Sequence, residues 1–222
     1  MRHHICVTAL VLVMCASAAH GFGFMGGPGP GIGLGFTPVV GAWAEYKTTS
    51  AGEESATIRF AIVGQEGDAF WYEMATAMGD EGEVITKMLV EGDPLDQPRI
   101  LRMIIKGGGE PAMELPVDTL LAGADEEQPM PETALTELGV ETVTVPAGTF
   151  KTRHVGAAQD GDATGEMWLA SEVGPYQVVR LVAENMEMVL VAHGDGAASR
   201  ITETPVKFEI PVFPVDLPEE GE

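Results

Sequence analysis

Residues 57–75 read TIRFAIVGQEGDAFWYEMA, and this stretch decides the fold. Its apolar side chains recur at every second position on both sides of a Gly-Asp pair: Ile58, Phe60 and Ile62 before it, and Phe70, Tyr72 and Met74 after it. A two-residue repeat places alternate side chains on opposite faces of an extended chain. The stretch therefore predicts two antiparallel strands joined by a turn.

Similar runs lie further along the chain, separated by turns rich in Gly, Asp and Pro such as residues 92–94. They predict an antiparallel meander whose other strands are Val84–Val90, Ile100–Ile105, Val140–Val145, Phe150–Val155, Glu166–Leu169, Gln177–Ala183 and Met186–Ala192. Two short segments favour helix, Asp118–Ala122 and Glu132–Leu138, the second ended by Gly139. The sequence predicts a mainly β fold with two groups of strands and a short helical lid between them.

Residues 1–21 have the order of a secretory signal peptide. A polar, basic start is followed by the apolar run Ile5–Met14, too short to span a bilayer, and then by small residues that place cleavage between residues 18 and 21. Both cysteines lie in this segment, so we expect an exported mature chain, periplasmic in the simplest case, without thiol or transmembrane segment. Met14 disfavours lipid attachment at Cys15, because a small residue normally precedes a lipid-anchored cysteine.

The chain beyond the signal peptide divides into three predicted parts. Residues 22–36 form a Gly-rich tether, which is either a flexible lead or a weak contact for a membrane or partner. Residues 37–204 form the β-rich domain, and residues 205–222 a Pro-rich acidic tail. Proline excludes the tail from the centre of a sheet, so we expect part of it to dock along the domain's own edge or in a groove of the domain, or to bind a partner.

The charge of the chain narrows its classes of partner. Asp and Glu number 34 against 12 Lys and Arg, which gives a net charge of −22. Such a surface repels nucleic acid and anionic lipid headgroups, so we predict no nucleic-acid binding. A solvated acidic shell and a cation-binding face are the two interpretations that remain.

Patterns for catalysis or metal binding are weak. No serine lies in a Gly-x-Ser-x-Gly turn, and His154 and His193 lie on separate predicted strands without a spaced third ligand. Residues 160–166 resemble the start of a calcium loop, but Ser171 stands where a bidentate Glu is required, which favours a hairpin turn. We predict a protein that is not an enzyme and holds no metal or other cofactor. An enzyme would need a cleft that joins one of these histidines to carboxylates.

Methionines on the predicted strands suggest an adaptable apolar surface, because thioether side chains fit ligands of varied shape. No Met-x-Met-x-Met cluster supports a copper(I) site. The same residues could simply fill the core. The candidate ligand-binding set for a lipid or acyl chain is Met88, Val90, Leu101, Met103, Ile105, Met186, Met188 and Leu190.

Residues 145–152, VPAGTFKT, resemble a turn of exported bacterial proteins that are grouped with the lipoprotein-carrier (Lol-type) superfamily. Residues 168–176, WLASEVGPY, resemble the Trp-containing strand and turn that follow it there, and residues 63–73 and 87–90 are also similar. The likeness covers roughly residues 41–204. It implies a curved antiparallel sheet, an open half-barrel, with one or two short helices covering an apolar concavity that holds acyl chains in the carriers.

The VPAGTF turn also has a physical meaning of its own. Pro146 presets φ and Gly148 permits a positive φ, so the segment predicts a tight hairpin and not a catalytic group.

Two functions follow from the sequence. The first is an exported binding module that holds a lipid chain or lipoprotein anchor in its curved sheet. The second is a structural or interaction protein of the cell envelope, which contacts a protein partner and has no ligand pocket. A sheet face filled by its own side chains would argue against the first.

Overall fold

The computed structural model describes residues 38–50, 53–79, 82–93, 96–118, 133–159 and 162–208. The predicted signal peptide, the tether, most of the first predicted helix and the tail after residue 208 lie outside these described residues. The strands are β1 (Trp43–Ser50), β2 (Glu53–Glu66), β3 (Ala69–Ala77), β4 (Glu83–Asp93), β5 (Asp96–Gly107), β6 (Met113–Leu115), β7 (Thr133–Val145), β8 (Gly148–Gln159), β9 (Asp162–Leu169), β10 (Val178–Ala183), β11 (Met186–Gly194) and β12 (Val206–Lys207).

All of these strands belong to one curved, open sheet in the order β12-β6-β5-β4-β3-β2-β1-β11-β10-β9-β8-β7. The first six strands form one meander and β7 to β11 form a second. The two meanders join where β1 pairs with β11, with Trp43 opposite Gly194. Neighbouring strands are antiparallel throughout, except that β12 runs parallel to β6. The prediction of a mainly β fold built on an open, curved antiparallel sheet is confirmed.

The predicted helix at Glu132–Leu138 is wrong. Residues 133–138 form the first half of β7, and Thr133, Leu135 and Glu137 stand opposite residues of β8. Ala, Leu and Glu favour helix in isolation, but pairing along the whole of β8 outweighs that weak local preference. Among the described residues, helical structure is confined to Gly79 and Val117–Asp118.

The larger apolar cluster lies on one face of the sheet, which we call the inner face. Tyr46, Ile62 and Leu190 are fully buried there, on β1, β2 and β11. The loop between β9 and β10 adds Val173 and Tyr176, so the cluster draws on both meanders. Burial of this continuous apolar area is the main stabilising contribution to the fold, because neither cysteine lies in the predicted mature chain.

A segment after β11 crosses the opposite, outer face. We call residues 195–205 the strap. Ile201 of the strap packs into a second apolar cluster with Trp71, Ile85 and Ile104 of β3, β4 and β5. After the strap, β12 pairs with β6, and the amide of Phe208 donates to the carbonyl of Glu114. The expectation that the start of the tail docks on the domain's own edge is confirmed for Val206–Lys207.

The VPAGTF turn is the tight hairpin that the sequence predicts, between β7 and β8. Gly148 has a φ of +146°. The amide of Ala147 in this turn donates to the carbonyl of Leu190 on β11, at 3.4 Å. Because β8, β9 and β10 lie between these elements in the sheet, this contact requires the sheet to curl, and the turn closes one end of the inner face.

Candidate functional site

The first group of predicted ligand-binding residues lies on β4 and β5. Met88 stands directly opposite Met103. Met88 and Val90 are 2% and 1% exposed, so neighbouring side chains already surround them. Ile105 is also buried, while Met103 is half-buried at the margin of the inner cluster.

The second group, Met186, Met188 and Leu190, lies on β11. Leu190 stands opposite Tyr46 of β1, and Met188 stands opposite Thr48. Met188 and Leu190 are buried, and Met186 is half-buried. Strands β3, β2 and β1 separate this group from β4, which is about 19 Å across a flat sheet at the usual strand spacing. All members of the two groups except Ile105 therefore belong to one cluster, although the two groups are not neighbours.

Tyrosines and an isoleucine occupy the inner face between the two groups. Tyr46 and Ile62 are fully buried, and Tyr72 is 3% exposed. The hydroxyl of Tyr46 donates to the carbonyl of Val178 on β10, at 3.0 Å, and burial raises the pKa of Tyr46. The ring of Phe60 makes edge contacts with Tyr46 and with Tyr176. The centre of the inner face is thus packed core.

Leu101 does not lie in the inner cluster with Met88, Val90 and Met103. It lies beside a register shift in β5 and packs against the outer cluster. A shift of one residue turns side chains to the opposite face, which a run of apolar residues such as 100–105 does not reveal in advance.

The two histidines have separate contacts and do not form a joint site. His193 makes an edge contact with Phe150, with ring centroids 5.5 Å apart. His154 stacks on Trp168 at 4.5 Å, and its Nδ1 and Nε2 lie 3.1 Å and 2.9 Å from carboxylate oxygens of Glu141 and Glu166. The indole N–H of Trp168 also donates to Glu141.

His154 does contact carboxylates, which an enzyme would require, but both of its ring nitrogens are already engaged. His154 and the two glutamates lie on an open strand surface. The described part of the chain holds no group of three or more His, Cys, Asp or Glu placed to bind a metal ion.

A buried carboxylate anchors the strap on the outer face, and the sequence did not single it out. Glu73 of β3 is 2% exposed. It accepts hydrogen bonds from the Ser199 hydroxyl at 2.7 Å and from the Arg200 amide, which lies 3.1 Å from each carboxylate oxygen. The sequence does offer a signal, which is a charged residue at a position where alternation places a buried side chain. Such a residue indicates a buried pairing, because charged residues are buried only when they are paired.

Cations cover the tryptophans of the outer face. Arg59 lies over Trp43 at 4.8 Å, and Lys87 lies over Trp71 at 4.7 Å from the ring centroid. Burial lowers the pKa of both cations, and the charge of Glu73 acts in the opposite direction. The chain has 12 Lys and Arg against 34 Asp and Glu, and these contacts place two of its cations over aromatic rings.

The edge formed by β7 carries exposed apolar side chains. Among the strands that the structure describes, β7 pairs only with β8. Leu138 is 52% exposed and Val140 is 61% exposed. Sequence reasoning missed this edge because it assigned the first half of β7 to a helix.

Within the described ranges, no helix combines the length and apolar character needed to cross a membrane. No protein-family model matches the sequence, and a search of the curated proteins finds no match.

Solved structures give distant similarities. A protein of Parabacteroides distasonis, provisionally classed as a lipoprotein, is 11% identical with a TM-score of 0.36 over 72% of this chain and 97% of its own. A provisionally exported protein of Bacteroides fragilis with a YmcC-like fold is 11% identical, with a TM-score of 0.37 over 72% and 99%. A hypothetical protein of Chlamydia trachomatis is 12% identical, with a TM-score of 0.47 over 81% and 96%. Similarity at this level carries no conclusion about function.

Proposed function

We propose that this chain is an exported, non-enzymatic interaction module of the cell envelope, which engages a protein partner through the edge of β7 that no other described strand covers, which we call the free edge. The order of residues 1–21 supports export. One observation carries the proposal. Exposed apolar side chains and an open strand edge coincide at β7, whereas most side chains expected to line a ligand cavity are buried against other side chains.

The composition of β7 supports this role. An edge strand presents amide and carbonyl groups that a second extended chain can pair with. Sheets usually protect a free edge with a short strand, proline or lysine. β7 is 13 residues long and contains neither proline nor lysine. An edge that is both long and unprotected is suited to partner binding.

The proposal can be tested by photo-crosslinking in the periplasm. A photoreactive phenylalanine analogue is placed at Val140 on the edge, and at Val39 as a control, since Val39 is similarly exposed but precedes β1. We expect a covalent protein adduct from position 140 and none from position 39. No adduct at position 140, or equal adducts at both positions, would contradict the proposal.

An apolar ligand is the second candidate function, in line with the resemblance to lipoprotein carriers. The observation in its favour is a margin of half-buried apolar side chains around the inner cluster, which includes Phe60, Phe70, Ile100, Met103 and Met186. Native mass spectrometry of mature protein purified from the periplasm, followed by lipid extraction, tests it. An acyl species at defined stoichiometry would support this function. Bare protein that takes up no fluorescent fatty acid would exclude it.

A further inference from the structure

We infer that the edge of β7 between Val140 and Val145 binds an extended segment of another protein in which lysine or arginine alternates with apolar residues. This inference rests on the proposed function and names the chemical class of the partner. Three features of the edge carry it: the direction of its backbone groups, the different character of its two faces, and its charge.

The backbone direction is fixed by the pairing with β8. The carbonyl of Glu141 accepts a hydrogen bond from the Thr152 hydroxyl at 3.0 Å, so Glu141 directs its backbone groups towards β8. In an antiparallel pair, successive residues direct these groups to opposite sides. The amides and carbonyls of Val140 and Thr142 therefore point to the free edge, where an incoming strand can pair with them.

The two faces of the edge differ in chemistry. Val140 and Thr142 share a face with Arg153 and Lys151, the residues opposite them on β8. Glu141 lies on the other face, near His154 and Glu166. By the same repeat, Val143 shares the face of Glu141 and packs against the inner cluster. A partner strand would therefore place apolar side chains beside Val140 and Thr142, and a cation beside Glu141 on the alternate face. An alternating sequence meets both requirements, because side chains of a strand repeat every two residues.

Charge argues against a second copy of this chain as the partner. β7 contains two glutamates, Glu137 and Glu141, and no Lys or Arg. Antiparallel self-pairing about Gly139 would set Glu137 opposite Glu141, and like charges directly opposite are destabilising. Each chain also carries a net charge of −22, which repels another copy and attracts a cationic segment over a longer range.

The test uses labelled synthetic peptides and the mature protein, with binding followed by fluorescence anisotropy. One peptide alternates lysine with valine, and its counterpart alternates glutamate with valine. Thr142→Pro removes an amide that faces the free edge and leaves the ladder to β8 intact, since proline is tolerated at such positions. Thr142→Val is the matched control that keeps the amide. Val140→Lys is a second edge variant at an exposed side chain, and Glu141→Gln removes one charge.

We expect the lysine peptide to bind, and Thr142→Pro and Val140→Lys each to weaken it at least about tenfold, with Thr142→Val unchanged. Glu141→Gln should reduce the ratio between the affinity for the lysine peptide and the affinity for the glutamate peptide. Equal binding of both peptides, lost in Thr142→Pro, would overturn the cationic partner and leave the proposed function standing. Binding that is unchanged in both edge variants would overturn both. A dimer in sedimentation that Thr142→Pro abolishes would make a second copy the occupant.

Discussion

Glu73 illustrates how one side chain can determine the route of a distant segment. Its carboxylate is buried on β3 and receives hydrogen bonds from two residues of the strap, Ser199 and Arg200. The partly buried cation Lys87 stands opposite it on β4 and is attracted by its charge. A buried charge is tolerated only when it is paired, so Glu73 fixes where the strap crosses the sheet.

Glu73→Ala should lower the free energy of unfolding by about 2–3 kcal/mol, because hydrogen bonds to charged groups are among the stronger ones and their donors would stay partly buried. Glu73→Gln should cost less, since the amide oxygen still accepts. Urea unfolding measures both. Glu91→Ala is the control, because its pair with Arg99 is exposed, and we expect a change below about 0.5 kcal/mol. Equal effects of Glu73→Ala and Glu91→Ala would contradict this role.

For the candidate site residues, the sequence indicates which side chains are buried but not where they lie relative to one another. Met88, Val90, Met188 and Leu190 are buried on the inner face, and the two-residue repeat that places neighbouring members of a strand on one face is a local property. Which strands become neighbours is not local. The separation of β4 from β11, and the turn of Leu101 to the outer face, depend on strand order and a register shift. The sequence carries no short-range signal for either.

At the scale of elements, the strap is held by apolar packing as well as by Glu73. Ile201 is 6% exposed among Ala75, Ile85 and Ile104. Beyond it, the strap leads into the parallel pairing of β12 with β6, only two residues long, which could not hold this segment alone.

Ile201→Ala should therefore destabilise the protein by about 2–4 kcal/mol, since it leaves a cavity in the outer cluster. It should also increase hydrogen exchange in residues 199–208. Val206→Ala is the control from the same segment, because Val206 is 58% exposed and its loss should change stability by less than about 0.5 kcal/mol. Thermal unfolding and exchange by mass spectrometry check both. Exchange that stays at the wild-type rate in Ile201→Ala would contradict the anchoring role.

Ion pairs add a pH-dependent contribution at the same edge. The hydrogen bond from Arg102 at 2.7 Å lowers the pKa of Glu114 on β6, and the hydrogen bond from Lys106 lowers the pKa of Glu203 in the strap. A carboxyl with a lowered folded-state pKa stabilises the fold above its unfolded-state value of about 4.3. This contribution is lost as the pH falls through the lower folded-state value.

On acidification from about pH 5 to pH 3, wild-type protein should lose more stability than Glu114→Gln, which has no carboxyl to protonate at that position. Thermal midpoints measured across this range provide the comparison. The two proteins should differ most at the upper end of the range and converge at the lower end. Parallel curves would show that the Arg102–Glu114 pair contributes nothing to the pH dependence.

Most strands of the fold could be predicted from the sequence, but the start of β7, in the middle of the chain, could not. Residues 57–75 and 140–155 have alternation and tight turns that leave few alternatives to hairpins. Residues 133–138 are ambiguous, because their helix-favouring residues become a strand only through pairing with β8. A strand that depends on its partner more than on its own residues is the kind that local patterns miss.

At the scale of the whole molecule, the main feature is the large net negative charge and its effect on stability. With a net charge of −22, the folded chain repels itself, and screening weakens that repulsion. Raising the ionic strength from about 0.01 M to 0.15 M shortens the Debye length from about 30 Å to 8 Å. We expect the thermal midpoint to rise over this range, equally in NaCl and KCl. A larger rise in CaCl₂ at matched ionic strength would indicate a specific cation site, and a fall would contradict self-repulsion.

The pairing of β1 with β11 also has a consequence for how the chain folds. Each meander is built from contacts between sequence neighbours, which form early because closing a short loop costs little entropy. The central seam, by contrast, joins Trp43 to Gly194, so all of the chain between these two residues must be present before it can form. A chain that emerges from a membrane pore with its N-terminus first can assemble β1 to β6 promptly, but β1 must then wait, unpaired on one side, until the last strand of the second meander arrives. The slowest step in maturation is therefore expected at the middle of the finished sheet.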